Sequence, residues 1–124
     1  MNIYSNFTVP GLLFLGMMIF GAWLGIDGKP YNNAIFTIHK LFALAFVVLT
    51  IIKLIPYLKE TSLGGMMIIL LIVAALSIIG LFASGAAMSI IEGSKPLLLW
   101  LHRILPLTTL GSIIGILEFL KANN

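Results

Sequence analysis

Long charge-free runs constrain this chain more than any other feature. The first 26 residues carry no charged side chain, and neither does the stretch Thr61–Ile91. A bilayer-spanning helix needs about 20 mostly apolar residues, so each run is long enough to cross once. The charges that remain fall where such helices would end. The first helix fits residues 9–26 and closes at Asp27-Gly28-Lys29-Pro30. The second fits 33–54, stopped by Pro56 and Lys59-Glu60, and the third fits 65–88, followed by the turn Glu92-Gly93-Ser94-Lys95. The fourth fits 96–120, with Pro96 in its first turn, where a missing N–H costs nothing. The expectation is an all-α integral membrane protein, a single transmembrane domain over residues 1–124 folded as a four-helix up-down-up-down bundle with short loops.

Composition agrees and excludes whole classes. The chain is 60% hydrophobic and 9% charged, with a mean hydropathy of +1.16, where a soluble domain is roughly 25% charged and about 45–50% apolar. That excludes an ordinary soluble enzyme, a disordered chain and a nucleic-acid binder. The absence of cysteine removes disulfides, iron–sulfur ligation and thiolate metal sites together. A cleaved signal peptide is the rival reading of the first segment. Met1–Val9 has no Lys or Arg, and Trp23-Leu24-Gly25-Ile26 is a poor cleavage site, so the first helix is expected to stay. Lys53, Lys59 and Lys121 mark the face that bears the termini; Lys29 and Lys95 mark the other, with Lys40 and Arg103 inside the helix starts. If a ligand holds those last two, the positive-inside rule puts the termini of this multi-pass cell-membrane protein in the cytoplasm.

His39 and His102 are the only histidines, and both lie within apolar segments. Ionisable groups inside a membrane are costly and usually face the bundle interior, where they mark sites. His39 follows Asn33 by six residues and His102 follows Pro96 by six, which is roughly 9 Å along each helix at 1.5 Å per residue. In an up-down bundle the second and fourth helices run parallel and lie diagonally opposite, so the two imidazoles share a depth. Two imidazoles facing across such a core suit a haem iron, which takes one axial ligand from each side. Zinc would want a third and a fourth ligand, and no other His, Cys or acid lies at that depth.

Three further features agree with one haem b. Each histidine is followed by a base, His39-Lys40 and His102-Arg103. Both bases can lean back to the nearer surface and meet haem propionates beside two positive helix N-termini. The helices without histidine are thin at this level: Gly16, Gly21, Ala22 and Gly25 in the first, Gly80 and Ala83-Ser84-Gly85-Ala86-Ala87 in the third. Gly21 and Gly85 are therefore expected to face the macrocycle. Pro106, four residues after His102, removes a hydrogen bond to the His102 carbonyl and bends the helix beside the ligand. The halves also resemble one another, since each has a helix, an acid-Gly turn with Lys-Pro, and a helix with one histidine near its start.

Each feature has a plainer reading. A lone intramembrane His is commonly an interhelical hydrogen-bond partner, and small residues commonly mediate helix packing. A base near a helix end is commonly a topological anchor. Met17, Met18 and Met88 are conceivable axial ligands but fit better as lipid-facing or gap-filling side chains. Trp23 and Trp100 fit interfacial anchors.

The layout resembles the four-helix membrane b-type cytochromes, the cytochrome b561-like group in particular. Members commonly carry four histidines for two haems, whereas this chain has two and suits one bis-histidine haem. The resemblance implies electron transfer with a quinone or a redox partner protein. Two other classes stand beside it. Small multidrug exporters have this size but need an embedded carboxylate, and the four acids Asp27, Glu60, Glu92 and Glu118 all sit in loops or at helix ends. A cofactor-free anchor or assembly subunit of a larger complex needs only the apolar faces.

Overall fold

A computed structural model of the chain describes residues 2–93 and 95–124; Met1 and Ser94, the latter within the expected second turn, lie outside them. Helices are the only regular elements among the described residues: α1 (Ile3–Asn6), α2 (Thr8–Asp27), α3 (Asn33–Glu60), α4 (Gly65–Ile90) and α5 (Pro96–Asn123). The last four are long and apolar enough to cross a membrane. They correspond to the four expected helices; the single turn α1 was not anticipated. Asn2 starts it by accepting a hydrogen bond from the Tyr4 backbone N–H on its side chain.

Two helix ends differ most from expectation, the others by no more than two residues. Pro56 does not stop α3, which continues to Glu60. Proline forfeits one backbone hydrogen bond, a loss that membrane helices tolerate. The turn beyond it is held by Tyr57, which packs against Phe7 and accepts a hydrogen bond from the Asn6 side-chain amide. At the other end of the chain α5 runs to Asn123 rather than residue 120. Side-chain amides of Asn123 and Asn124 donate to the carbonyls of Phe119 and Leu120 at 2.8 and 2.9 Å, satisfying acceptors that a helix terminus leaves open.

The chain divides into two compact units, Met1–Glu60 and Thr61–Asn124. Each is an antiparallel helical hairpin. In the first, Gly16 lies against Phe42 and Gly21 against His39, so α2 and α3 run in opposite senses. In the second, Gly80 lies against Leu105 and Gly85 against His102, with the same consequence for α4 and α5. Both connections contain a glycine at positive φ, Gly28 at 71° and Gly93 at 80°, a region that only glycine enters without steric cost.

Large apolar side chains stay on the outside of both hairpins, including Leu12, Leu44, Ile79 and Leu107. In water such a surface would drive aggregation; in a bilayer it meets a solvent as apolar as itself. The chain is accordingly a multi-pass membrane protein by the character of its helices.

Candidate functional site

The site is built from a helix start, a glycine and a carbonyl. α3 begins at Asn33, where the Asn32 side-chain oxygen accepts hydrogen bonds from the backbone N–H groups of Ala34 and Ile35 at 3.0 and 3.2 Å. α5 begins at Pro96. These starts put His39 and His102 at the same position of their helices, as the spacing predicts. Both histidines are half-buried, and each is seated on the preceding helix of its own hairpin.

In the first hairpin the His39 Nδ1 lies 2.9 Å from the Met17 carbonyl oxygen. A carbonyl can only accept, so Nδ1 carries the proton and, in the neutral ring, Nε2 carries the lone pair. Gly21 makes the approach possible. A Cβ there would stand 2.9 Å from His39 Cε1, closer than van der Waals contact allows. Gly21 is also the residue whose N–H would close the helical bond to Met17, so its bare Cα opens the side of α2 next to that carbonyl.

The second hairpin repeats this with one insertion. His102 Nδ1 lies 2.8 Å from Ser84 Oγ, and the Ser84 hydroxyl donates to the Leu81 carbonyl at 3.1 Å. Gly85 supplies the room, with a Cβ there reaching to 3.1 Å of His102 Cε1. Leu81 precedes Gly85 by four residues, as Met17 precedes Gly21. The correspondence is a register: Gly16, Met17 and Gly21 recur 64 residues on as Gly80, Leu81 and Gly85, and His39, Lys40 and Phe42 recur 63 residues on as His102, Arg103 and Leu105. The likeness between halves therefore runs through the helices, not only through the turns. Phe20 stands where the second hairpin has Ser84, so the first hairpin has no hydroxyl at that position, and its imidazole meets the carbonyl directly.

The other expected site residues fall as follows. The room above Gly21 and Gly85, expected to hold a flat macrocycle, holds the imidazole of the same hairpin. Lys40 and Arg103 are exposed. Lys40 leans one turn towards its helix N-terminus, placing Nζ 4.4 Å from the centroid of the Phe36 ring, the direction helical side chains take. Met17 is buried and enters the site through its backbone carbonyl. Trp23 and Trp100 are exposed, as interfacial anchors are. Ser84, 3% exposed, was missed as a hydrogen-bonding residue. Its signal was present in the run Ala83-Ser84-Gly85-Ala86-Ala87, read there only as a thin stretch of helix.

A histidine that binds a metal through one ring nitrogen usually donates from the other to a carbonyl or a polar side chain, which fixes the tautomer and the ring plane. Both histidines have an oxygen partner at Nδ1, a carbonyl for His39 and a hydroxyl for His102. Among the described residues no three His, Cys, Asp or Glu side chains come together, so the nitrogen donors amount to one imidazole per hairpin. A lone imidazole is a donor suited to a group that would bring its other ligands with it, as a tetrapyrrole iron does. Comparison of the chain with protein-family models, curated proteins and solved structures gives no match.

Proposed function

We propose that this protein is a small membrane b-type cytochrome that binds one haem b through His39 and His102 and passes electrons to or from a quinone or a redox partner protein. The observation that carries the reading is the repeated seat: in each hairpin the imidazole Nδ1 lies within hydrogen-bond distance of an oxygen on the preceding helix, 2.9 Å for His39 and 2.8 Å for His102, the kind of second contact a ligating histidine makes. A haem, when bound, supplies one-electron chemistry. The residues of the chain that would hold it are His39 and His102 through their imidazoles, with Lys40 and Arg103 as partners for its propionates, Arg103 through a fork matched to a carboxylate. With the four long helices crossing up-down-up-down, both histidines lie towards one face of a cell membrane. The termini then lie in the cytoplasm, beside Lys53, Lys59 and Lys121.

A second reading draws on the same contacts. An imidazole hydrogen-bonded across a hairpin is also a clasp between two helices, which a cofactor-free anchor or assembly subunit would use without any iron. The visible spectrum of the detergent-purified protein separates the two. Oxidised and reduced spectra of a low-spin b-type haem support the cytochrome. A colourless protein that remains colourless after haem is added leaves the clasp.

A further inference from the structure

The two imidazoles are seated by unlike partners. The first meets a carbonyl, which no side-chain substitution removes. The second meets a hydroxyl, which is able either to accept from Nδ1 or to donate to it, and the two choices give opposite tautomers. If Ser84 donates to His102, the ring proton moves to Nε2 and that nitrogen cannot ligate without losing it. If Ser84 donates to Leu81, its oxygen accepts from Nδ1, and Nε2 carries the lone pair.

We propose that Ser84 is a positioning residue: it relays the hydrogen bond of His102 to the Leu81 carbonyl and so sets His102 in the same Nδ1–H form as His39, presenting Nε2 to the iron of a tetrapyrrole. The geometry supplies both halves of the relay, 2.8 Å from Nδ1 to Oγ and 3.1 Å from Oγ to the carbonyl oxygen. The first hairpin supplies the second argument. There the carbonyl at the corresponding position, Met17, is reached directly and forces Nδ1–H. The relay ends on the matching carbonyl, so the serine fills the gap between ring and helix without changing which nitrogen is protonated. Ser84 is nearly fully buried, where a hydroxyl is held to its partners rather than shared with water. The consequence for iron rests on the cytochrome reading; the proton position does not.

The test uses the full chain in detergent micelles, haem-free and labelled with nitrogen-15 in histidine, followed by titration with haem. In the unaltered protein both histidines show a protonated δ1 nitrogen and an unprotonated ε2 nitrogen. Ser84→Ala shifts His102 towards a mixture of tautomers and leaves His39 unchanged; Ser84→Thr, which keeps the hydroxyl, restores the His102 pattern. Haem binding to Ser84→Ala falls by roughly 10- to 100-fold, the usual effect of losing the second hydrogen bond of a ligating imidazole. A protonated ε2 nitrogen on His102 in the unaltered protein, or nitrogen signals indifferent to Ser84→Ala, overturns the relay. Should the nitrogen signals follow the relay while the unaltered protein takes up no haem, the cytochrome reading fails and the relay stands.

Discussion

In the first hairpin Phe14 meets Phe46 edge to face, with ring centroids 5.2 Å apart, whereas the position corresponding to Phe46 in the second hairpin is the buried Thr109. The contrast extends along both pairs. α2 and α3 are joined by rings, with Phe20 against Phe42 at 5.5 Å and Phe7 against Tyr57 at 6.4 Å. α4 and α5 bury four hydroxyl side chains, Ser77, Ser84, Thr109 and Ser112, where α2 and α3 bury one, Thr50. Thr109 donates to the Leu105 carbonyl at 2.9 Å and Ser112 to Thr108 and Thr109, each at 2.9 Å, so these hydroxyls are spent within their own helix. Small side chains of this kind let membrane helices pack backbone to backbone. Two modes of packing thus carry one and the same glycine–histidine contact. The seat of the imidazole is not a by-product of either mode.

The largest effect expected is loss of the haem spectrum. Either His39→Ala or His102→Ala should abolish a low-spin b-type signal, since neither hairpin has a second histidine to substitute. A spectrum unaltered by one of the two changes would show that the hairpins do not contribute equally.

Next in size is packing. Phe46→Ala should destabilise the first hairpin by about 3–5 kcal/mol, against about 1 kcal/mol for Thr109→Ala, which forfeits one intrahelical hydrogen bond. Thermal unfolding in the same detergent measures both. Equal losses would erase the distinction between ring and hydroxyl packing.

The glycines come third. Gly21→Leu and Gly85→Leu should each cost about 1–3 kcal/mol through overpacking and displace the imidazole while the helices still insert. Alanine sharpens the comparison: an added Cβ meets the ring at 2.9 Å in the first hairpin and at 3.1 Å in the second. Gly21→Ala should therefore lower haem occupancy more than Gly85→Ala does. Haem stoichiometry per folded monomer, read with the elution volume, decides it, and the reverse order would mean that α4 is the stiffer support.

The smallest effect concerns the bases. Replacing Lys40 and Arg103 with Gln should lower haem retention or shift the midpoint potential as the propionates lose their charged partners. Lys40 also gives up a cation–π contact with Phe36, worth about 0.5–1 kcal/mol at an exposed site. Unchanged retention, potential and insertion would make both residues topological anchors.

Hydropathy and turn chemistry in the sequence determined the four long helices, the starts of α3 and α5, and the matched positions of His39 and His102. These are local matters, because a membrane helix must satisfy its own backbone and its length is set by the apolar run. The end of α3 was not local: Pro56 reads as a stop, yet the helix continues past it, and Tyr57 just beyond packs against Phe7 and accepts a hydrogen bond from Asn6, residues some fifty positions earlier in the chain. Gly21 and Gly85 were legible as room, but not what fills it. Helices that are apolar on every side carry little information about which face meets a neighbour. Which carbonyl an imidazole reaches depends on the rotation and axial offset of two helices, and one residue of slip would part His39 from Met17 and His102 from Ser84. Only the tertiary structure decided that, and with it the hydrogen bonds that single out one nitrogen of each ring.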